Sequence, residues 1–374
     1  MSSSALPVPS APHPLARYGW DTHWEAAFAP HAGTGLVPGR VVRVDRGRID
    51  AVVPAEDGVE TVLADTALVA TGDPMRVPCT GDWAVLDRAN GPAGLVHSLL
   101  PRRTALVRSA SSKRSEGQVL AANVDHAVVA VSLAVETDLG RVERFVALAW
   151  ESGARPVVVL TKSDLVADAA LDHLLDDVRG VTPGVQVLPV SARTGAGLDV
   201  LAALLAEGTG VLLGQSGAGK STLANALLGR DVQEVRAARD SDGKGRHTTT
   251  TRDLLLLPAG GTLIDTPGLR GVGMWDAEEG LARTFADVAE LAADCRFHDC
   301  SHQAEPGCAV LTAVAEGALP DRRLESYRKL VRENRWINAK TDVRQRAEIR
   351  REWKQKQAAG RAAADRKRGS RGRY

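Results

Sequence analysis

The sequence predicts a multidomain α/β protein with a small N-terminal β-barrel, a largely parallel α/β domain and a mainly helical C-terminal region. At 374 residues and 44% hydrophobic content, the chain is too long for one ordinary domain and apolar enough to fold. Short β-rich pieces punctuated by Gly and Pro fill residues 39–100, and a strand–helix alternation follows from about residue 118. Past residue 280 the pattern turns helical and carries three cysteines within 14 residues.

Residues 1–38 are rich in Pro, Ala and Gly without a sustained period and read as an irregular arm, with Trp20 and Trp24 as candidate anchors. Strands at 40–44, 49–53, 60–63, 82–86 and 94–99 fit a small antiparallel barrel of the OB or SH3-like kind over 39–101. The basic, Ser-rich stretch 102–117 reads as a linker. Buried strands are expected at 127–133, 157–160, 185–190, 211–213, 254–257 and 262–264, with helices at 140–151, 168–179 and 197–206, giving an α/β domain over 118–275. A helical domain over 276–339 and a basic tail over 340–374 complete the chain.

The formal net charge of +1 hides an asymmetry, because residues 340–374 hold 13 Lys+Arg against 4 Asp+Glu. That tail is the segment best suited to a polyanion. No apolar run reaches the roughly 18–20 residues of a membrane span, and residues 1–15 lack both the charged and the apolar regions of a secretory signal. A cytoplasmic protein with no membrane partner is the expectation.

Gly214, Gln215, Ser216, Gly217, Ala218, Gly219, Lys220 and Ser221, followed by Thr222, match G-x-x-x-x-G-K-[ST] between an apolar strand and a helix. Glycines let the backbone wrap a phosphate whose charge meets a helix N-terminus. Lys220 is placed to reach the β- and γ-phosphates, and Ser221 to offer its hydroxyl to Mg²⁺. After the strand at 262–264, Asp265-Thr-Pro-Gly268 supplies a carboxylate for the Mg²⁺ shell and an N–H for the γ-phosphate.

Upstream, Thr161, Lys162, Ser163 and Asp164 resemble the N-K-x-D guanine motif. A carboxylate accepts from both N1–H and N2–H₂ of guanine, a pair adenine lacks. Ser191 and Ala192 resemble the last guanine motif, where a backbone N–H meets O6. Thr161 replaces the usual Asn, whose side chain ties this loop to the phosphate loop, so a less organised corner with unchanged base preference is expected. The base motifs precede the phosphate motifs, with three strands before the phosphate-loop strand and two after it. The domain is therefore a circularly permuted P-loop GTPase.

Between those phosphate motifs, residues 240–251 read as a switch whose Thr249, or a neighbouring Thr, joins the Mg²⁺ shell. Leu269 stands where many GTPases carry a water-orienting Gln, so slow turnover alone is expected, completed by a partner. His247 is the candidate group for positioning water.

Cys295, Cys300 and Cys308 with one histidine, His302 or the nearby His298, offer the donor set of a closed tetrahedral Zn²⁺ site. Four ligands leave no vacant position, which favours a structural role over catalysis.

These features together resemble the ribosome small subunit-dependent GTPase A (RsgA or YjeQ type) family over roughly residues 39–345. Residues 117–125 (GQVLAANVD) and 245–250 (GRHTTT) add to the likeness. The resemblance implies an OB-like barrel, the permuted GTPase domain and a zinc-binding helical domain with His302 as the fourth ligand. It also implies a cytoplasmic GTPase, binding GTP and GDP, that acts late in assembly of the small ribosomal subunit and is stimulated by it.

Arg40, Arg43, Arg46 and Arg48 in the barrel and Arg102, Arg103, Arg108, Lys113 and Arg114 after it are candidate RNA contacts. With aromatics at only 4%, recognition by shape and phosphate is favoured over base stacking. The tail 344–373 is a further candidate for rRNA. Nothing in the sequence demands more than a monomer. Two other classes remain: a GTP-regulated metal-handling protein, and an RNA-binding module with a non-hydrolytic P-loop.

Overall fold

The computed structural model describes residues 12–89, 93–109, 117–231, 252–265 and 277–341. The described residues of 1–106 and 119–271 form one compact unit, and those of 107–118 and 272–374 a second.

In the first unit, β1 (Val37–Asp45), β2 (Arg48–Ala55), β3 (Gly58–Asp65), β4 (Trp83–Asp87) and β5 (Gly94–Leu99) close into a barrel in the order β1-β2-β3-β5-β4. Every neighbouring pair is antiparallel except β3–β5, which is parallel. That order, closed by a parallel pair, is the OB arrangement and decides against the SH3-like alternative. Inward positions alternate along the strands, so Val41, Ile49, Ala51, Val53, Val62, Ala64, Ala84, Leu86 and Val96 fill the interior.

The segment read as an irregular arm contains helix α1 (Thr22–Phe28). Asp21 caps it, accepting from the backbone N–H of His23 and Trp24 at 3.0 and 3.1 Å. Trp24 is fully buried, and Trp20 meets Trp83 of the barrel edge-on with ring centroids 4.9 Å apart. Both tryptophans therefore anchor this segment on the barrel.

Three arginines read as RNA contacts are internal ties: Arg40, Arg102 and Arg103, the last donating to Asp21 Oδ2 at 2.8 Å with its guanidinium over the Trp24 ring. Arg40 is 1% exposed and donates to Thr209 Oγ1 at 2.9 Å and Asn123 O at 3.3 Å, with its guanidinium over the Trp83 ring. Burial pulls its pKa down to about 10 against the opposing pull of Asp125 and Asp82. Arg102 grips the fully buried Asp82 with two 2.7 Å bonds and donates to Met75 O and Val77 O. Arg46 and Arg48 are exposed. Arg108 donates to Gln118 Oε1, and Lys113 and Arg114 lie outside the described residues. The presumed linker is also partly ordered, since β6 (Ala105–Ser109) pairs with β7 (Gly117–Ala122) as a two-stranded ribbon.

The rest of the first unit is an α/β sheet. Its elements are β8 (His126–Ser132), α2 (Leu139–Glu151), β9 (Arg155–Thr161), α3 (Asp168–Val181), β10 (Gln186–Val190), α4 (Leu198–Leu205), β11 (Thr209–Gly214), α5 (Lys220–Leu228), β12 (Asp253–Leu256) and β13 (Thr262–Asp265). The sheet order is β10-β9-β8-β11-β13-β12, parallel throughout except for β12. Apolar residues run almost unbroken through β8, β9 and β11 because helices cover both faces of such a sheet. The register sets Gly214 opposite Ala130, Ser132 opposite Thr161, and Thr161 opposite Val190. Strand ends carrying the phosphate and base motifs therefore lie along one edge, where ligands of open α/β sheets bind.

The second unit is mainly helical: Glu278–Thr284, Ala286–Ala293, Ala309–Ala315 and Asp321–Thr341. Arg323, 2% exposed, is its internal tie, bound to Asp287 through both carboxylate oxygens and to Thr284 O, with its guanidinium over the Phe285 ring. Among the described residues, no helix is long and apolar enough to cross a membrane.

Candidate nucleotide site and candidate metal centre

β11 delivers the chain into the phosphate loop at Gly214, whose φ is 135°. A Cβ there would sit 2.4 Å from the carbonyl oxygen of Ala130, so only glycine fits between β11 and its neighbour. Gly217 and Gly219 are also left-handed, and α5 starts at Lys220. Lys220 Nζ donates to Gly214 O at 2.8 Å and Gln215 O at 2.6 Å, which folds the ammonium across the mouth of the loop. Burial lowers its pKa, while the nearby Asp265 carboxylate opposes that shift. Asp265 ends β13 and is 7% exposed.

The base motifs meet this loop directly. Thr161 Oγ1 donates to Ala218 O at 2.8 Å and lies 3.2 Å from Val131 O. The tie expected to vanish with the missing asparagine is made by a hydroxyl, because the end of β9 lies beside the phosphate loop. Lys162, held at φ 60°, donates from Nζ to Gly217 O at 3.1 Å. Replacing Thr161 with Val, near in shape, removes the donor and leaves Ala218 O without it. This is expected to weaken GDP binding by roughly five- to tenfold and lower stability by about 1 kcal/mol. Titration and thermal unfolding check both, and wild-type values in Thr161→Val would show the tie to be dispensable.

Asp164 follows on a short 3₁₀ turn, Ser163–Leu165. Its Oδ1 accepts from the Ser191 hydroxyl and its Oδ2 from Arg193 Nε at 2.8 Å. These two partners, Ser191 first, hold the carboxyl below its ordinary pKa. Asp164, Ala192, Arg193, Lys162, Thr161, Leu165, Gly219, Thr222 and Leu223 border a cavity of about 210 Å³. One concavity thus joins the carboxylate able to read a base to the end of the phosphate loop. Of these, Arg193 was missed by sequence reasoning: an arginine in a turn carries no signal until its carboxylate partner is known. His247, Thr249, Gly268 and Leu269 lie outside the described residues.

In the second unit, Cys295, Cys300, His302 and Cys308 converge, with all four ligand atoms within 4.8 Å of one another. Cys295 Sγ is 3.8 Å from Cys308 Sγ and 3.6 Å from His302 Nδ1, and Cys308 Sγ is 3.4 Å from that nitrogen. A tetrahedron with Zn–S near 2.3 Å has S···S edges of about 3.8 Å and S···N edges of about 3.5 Å. The donor set and spacing fit one zinc ion. The sulfur separation is far too long for a disulfide, and all three cysteines are free. His298 is fully exposed, and His302 is the histidine in the cluster.

Glu305, also missed from sequence, braces the intervening loop by accepting from the N–H of Ser301, Gln303 and Ala304 and from the Ser301 hydroxyl. An acidic residue inside a cysteine cluster is the only signal that marks it. Arg328 on the long helix donates to His302 O.

A phosphate loop served by base motifs that precede it, on the sheet order above, defines a circularly permuted P-loop GTPase. The RsgA GTPase family model matches residues 99–275. A small ribosomal subunit biogenesis GTPase RsgA from Streptomyces avermitilis is 66% identical over 372 residues, covering 99% of each chain. One from Methanosarcina acetivorans is 41% identical over 327 residues, covering 87% of this chain and 86% of that one. The crystal structure of YjeQ from Thermotoga maritima superposes with a TM-score of 0.60 at 26% identity, over 80% of this chain and 98% of that one. YloQ, a circularly permuted GTPase, shares the fold with a TM-score of 0.58 at 24% identity, over 81% of this chain and 96% of that one. The chain belongs to the RsgA GTPase family and is a GTP-hydrolysing enzyme.

Proposed function

We propose that this chain hydrolyses GTP to GDP and phosphate on the small ribosomal subunit, as a late assembly factor with slow turnover alone and faster turnover on the subunit. The observation that carries the catalytic part is the single edge at which Asp164, Lys220 and Asp265 gather. The subunit as partner is supported by the Streptomyces avermitilis relative, whose name places it in biogenesis of that subunit.

In this reading Asp164, positioned by Ser191, accepts from guanine, Lys162 lies along the base, and Ser163 and Ala192 complete the corner. Gly214 to Gly219 present backbone N–H groups to the phosphates, and Thr222 borders the base. Lys220 leaves its two loop carbonyls and follows the charge onto the β- and γ-phosphates. Ser221, Asp265 and Thr249 are the oxygen donors that would hold Mg²⁺, a hard cation that neutralises phosphate charge. Gly268 offers its N–H to the γ-phosphate, and His247 positions water in place of the absent glutamine. Cys295, Cys300, His302 and Cys308 hold one structural zinc ion.

Exposed Arg46 and Arg48 and the basic tail 344–373 meet rRNA in this reading. The protein works in the cytoplasm as a monomer. The domains run 39–101, 118–275 and 276–339, with the arm, linker and tail between and beyond them.

GTP hydrolysis measured alone, then with isolated small or large subunits at several salt concentrations, tests the proposal. Stimulation by the small subunit alone, weakening with salt, is the expected result. No stimulation by either would discard the ribosome as partner. In the same assay His247→Ala is expected to remove most stimulated turnover without changing GTP affinity. Unchanged stimulated turnover would take His247 out of the reaction.

A further inference from the structure

We propose that Arg193 is a built-in competitor of the guanine base for Asp164 Oδ2, one that lowers the affinity for guanine nucleotides and speeds their release. The inference rests on the reading of Asp164 as the base-recognising carboxylate.

Nε and Nη2 of Arg193 both lie 2.8 Å from the same oxygen, Asp164 Oδ2. The other oxygen, Oδ1, accepts from the Ser191 hydroxyl. A carboxylate oxygen has about two acceptor sites, so Oδ2 is filled and Oδ1 keeps one. Guanine needs both oxygens, one for N1–H and one for N2–H₂, and cannot gain Oδ2 until the guanidinium leaves.

The burial of the pair favours such an exchange. The Asp164 side chain is 10% exposed and fixed by Ser191, whereas that of Arg193 is 73% exposed and reaches in from solvent. When the base departs, the arginine returns and the carboxylate is never left bare. The other cation beside the cavity, Lys162, is spent on Gly217 O, so the competing ion pair falls to Arg193.

Binding and release of a fluorescent GDP by the full-length protein test this. Arg193→Ala is expected to tighten GDP about two- to fivefold, the size of an exposed ion pair, chiefly through slower release. That advantage should shrink as KCl is raised, because salt screens the pair in the wild type. Arg193→Lys, which keeps the charge but not the fork, should fall between the two. In an Asp164→Asn background, probed with xanthosine diphosphate, Arg193→Ala should have no effect. Unchanged or weaker GDP binding in Arg193→Ala, with Asp164→Asn still losing GDP, would overturn the competitor role alone. Undiminished GDP binding by Asp164→Asn would overturn the guanine reading and this proposal with it.

Discussion

Lys220→Ala is expected to lower subunit-stimulated GTP hydrolysis by about 100- to 1,000-fold, the cost of removing one preorganised charge from a transition state. The basis is geometric. Lys220 Nζ already spans the loop mouth between Gly214 O and Gln215 O, so little reorganisation is needed when phosphate replaces those acceptors. Its half-buried setting strengthens any charge interaction relative to water. Arginine is not expected to rescue, because its planar fork does not replace a compact ammonium within a closed glycine loop. Single-turnover hydrolysis with saturating small subunits gives the reading, and thermal unfolding separates a local loss from a global one. Turnover within threefold of wild type would take Lys220 out of the transition state.

The parts of this site that were legible in the sequence are those in which chemistry dictates residue type at fixed spacing. Gly214 is glycine because a Cβ would strike Ala130 O, and that constraint leaves a readable mark. Motif order gave the permutation, and the sheet order β10-β9-β8-β11-β13-β12 agrees with it. The barrel strands were visible as alternation. The OB arrangement was not, because it depends on β3 meeting β5 in parallel, Ala64 opposite Gly94 and Asp65 opposite Leu95, a long-range pairing that local pattern does not encode.

The arginines show the limit most plainly. Arg40 and Arg46 look alike in sequence, yet Arg40 finds Thr209, 169 residues away, and is buried, while Arg46 stays in solvent. Long side chains take their role from partners, and those partners are set by tertiary packing. Thr161 teaches the same lesson in reverse. The change from Asn predicted a lost tie, but strand register placed the hydroxyl within 2.8 Å of Ala218 O. His302 and His298 could not be separated by spacing alone; the first is nearly buried in the cluster and the second fully exposed.

Removal of zinc is expected to unfold the described helices of residues 277–341 while leaving the barrel and the α/β sheet folded. The apolar core of that unit is small: Phe285, Val288, Val310, Ala313, Leu319, Leu324 and Leu330 are its main buried members. A structural zinc site contributes about 10–16 kcal/mol of apparent binding energy, comparable with the roughly 5–15 kcal/mol stability of a whole domain. Cys308 has the most to lose. Its sulfur is buried, caps helix Ala309–Ala315 by accepting from Leu311 N, and lies within 4 Å of both Cys295 Sγ and His302 Nδ1. Cys308→Ser should therefore abolish zinc content and lose hydrogen-exchange protection across 277–341, whereas His298→Ala should keep one zinc per chain. A strong chelator should reproduce the loss in the wild-type protein, and a weak one should not, since a closed four-ligand site exchanges its metal slowly. Ready exchange with a weak chelator, with the helices intact, would instead point to a site built to hand metal on.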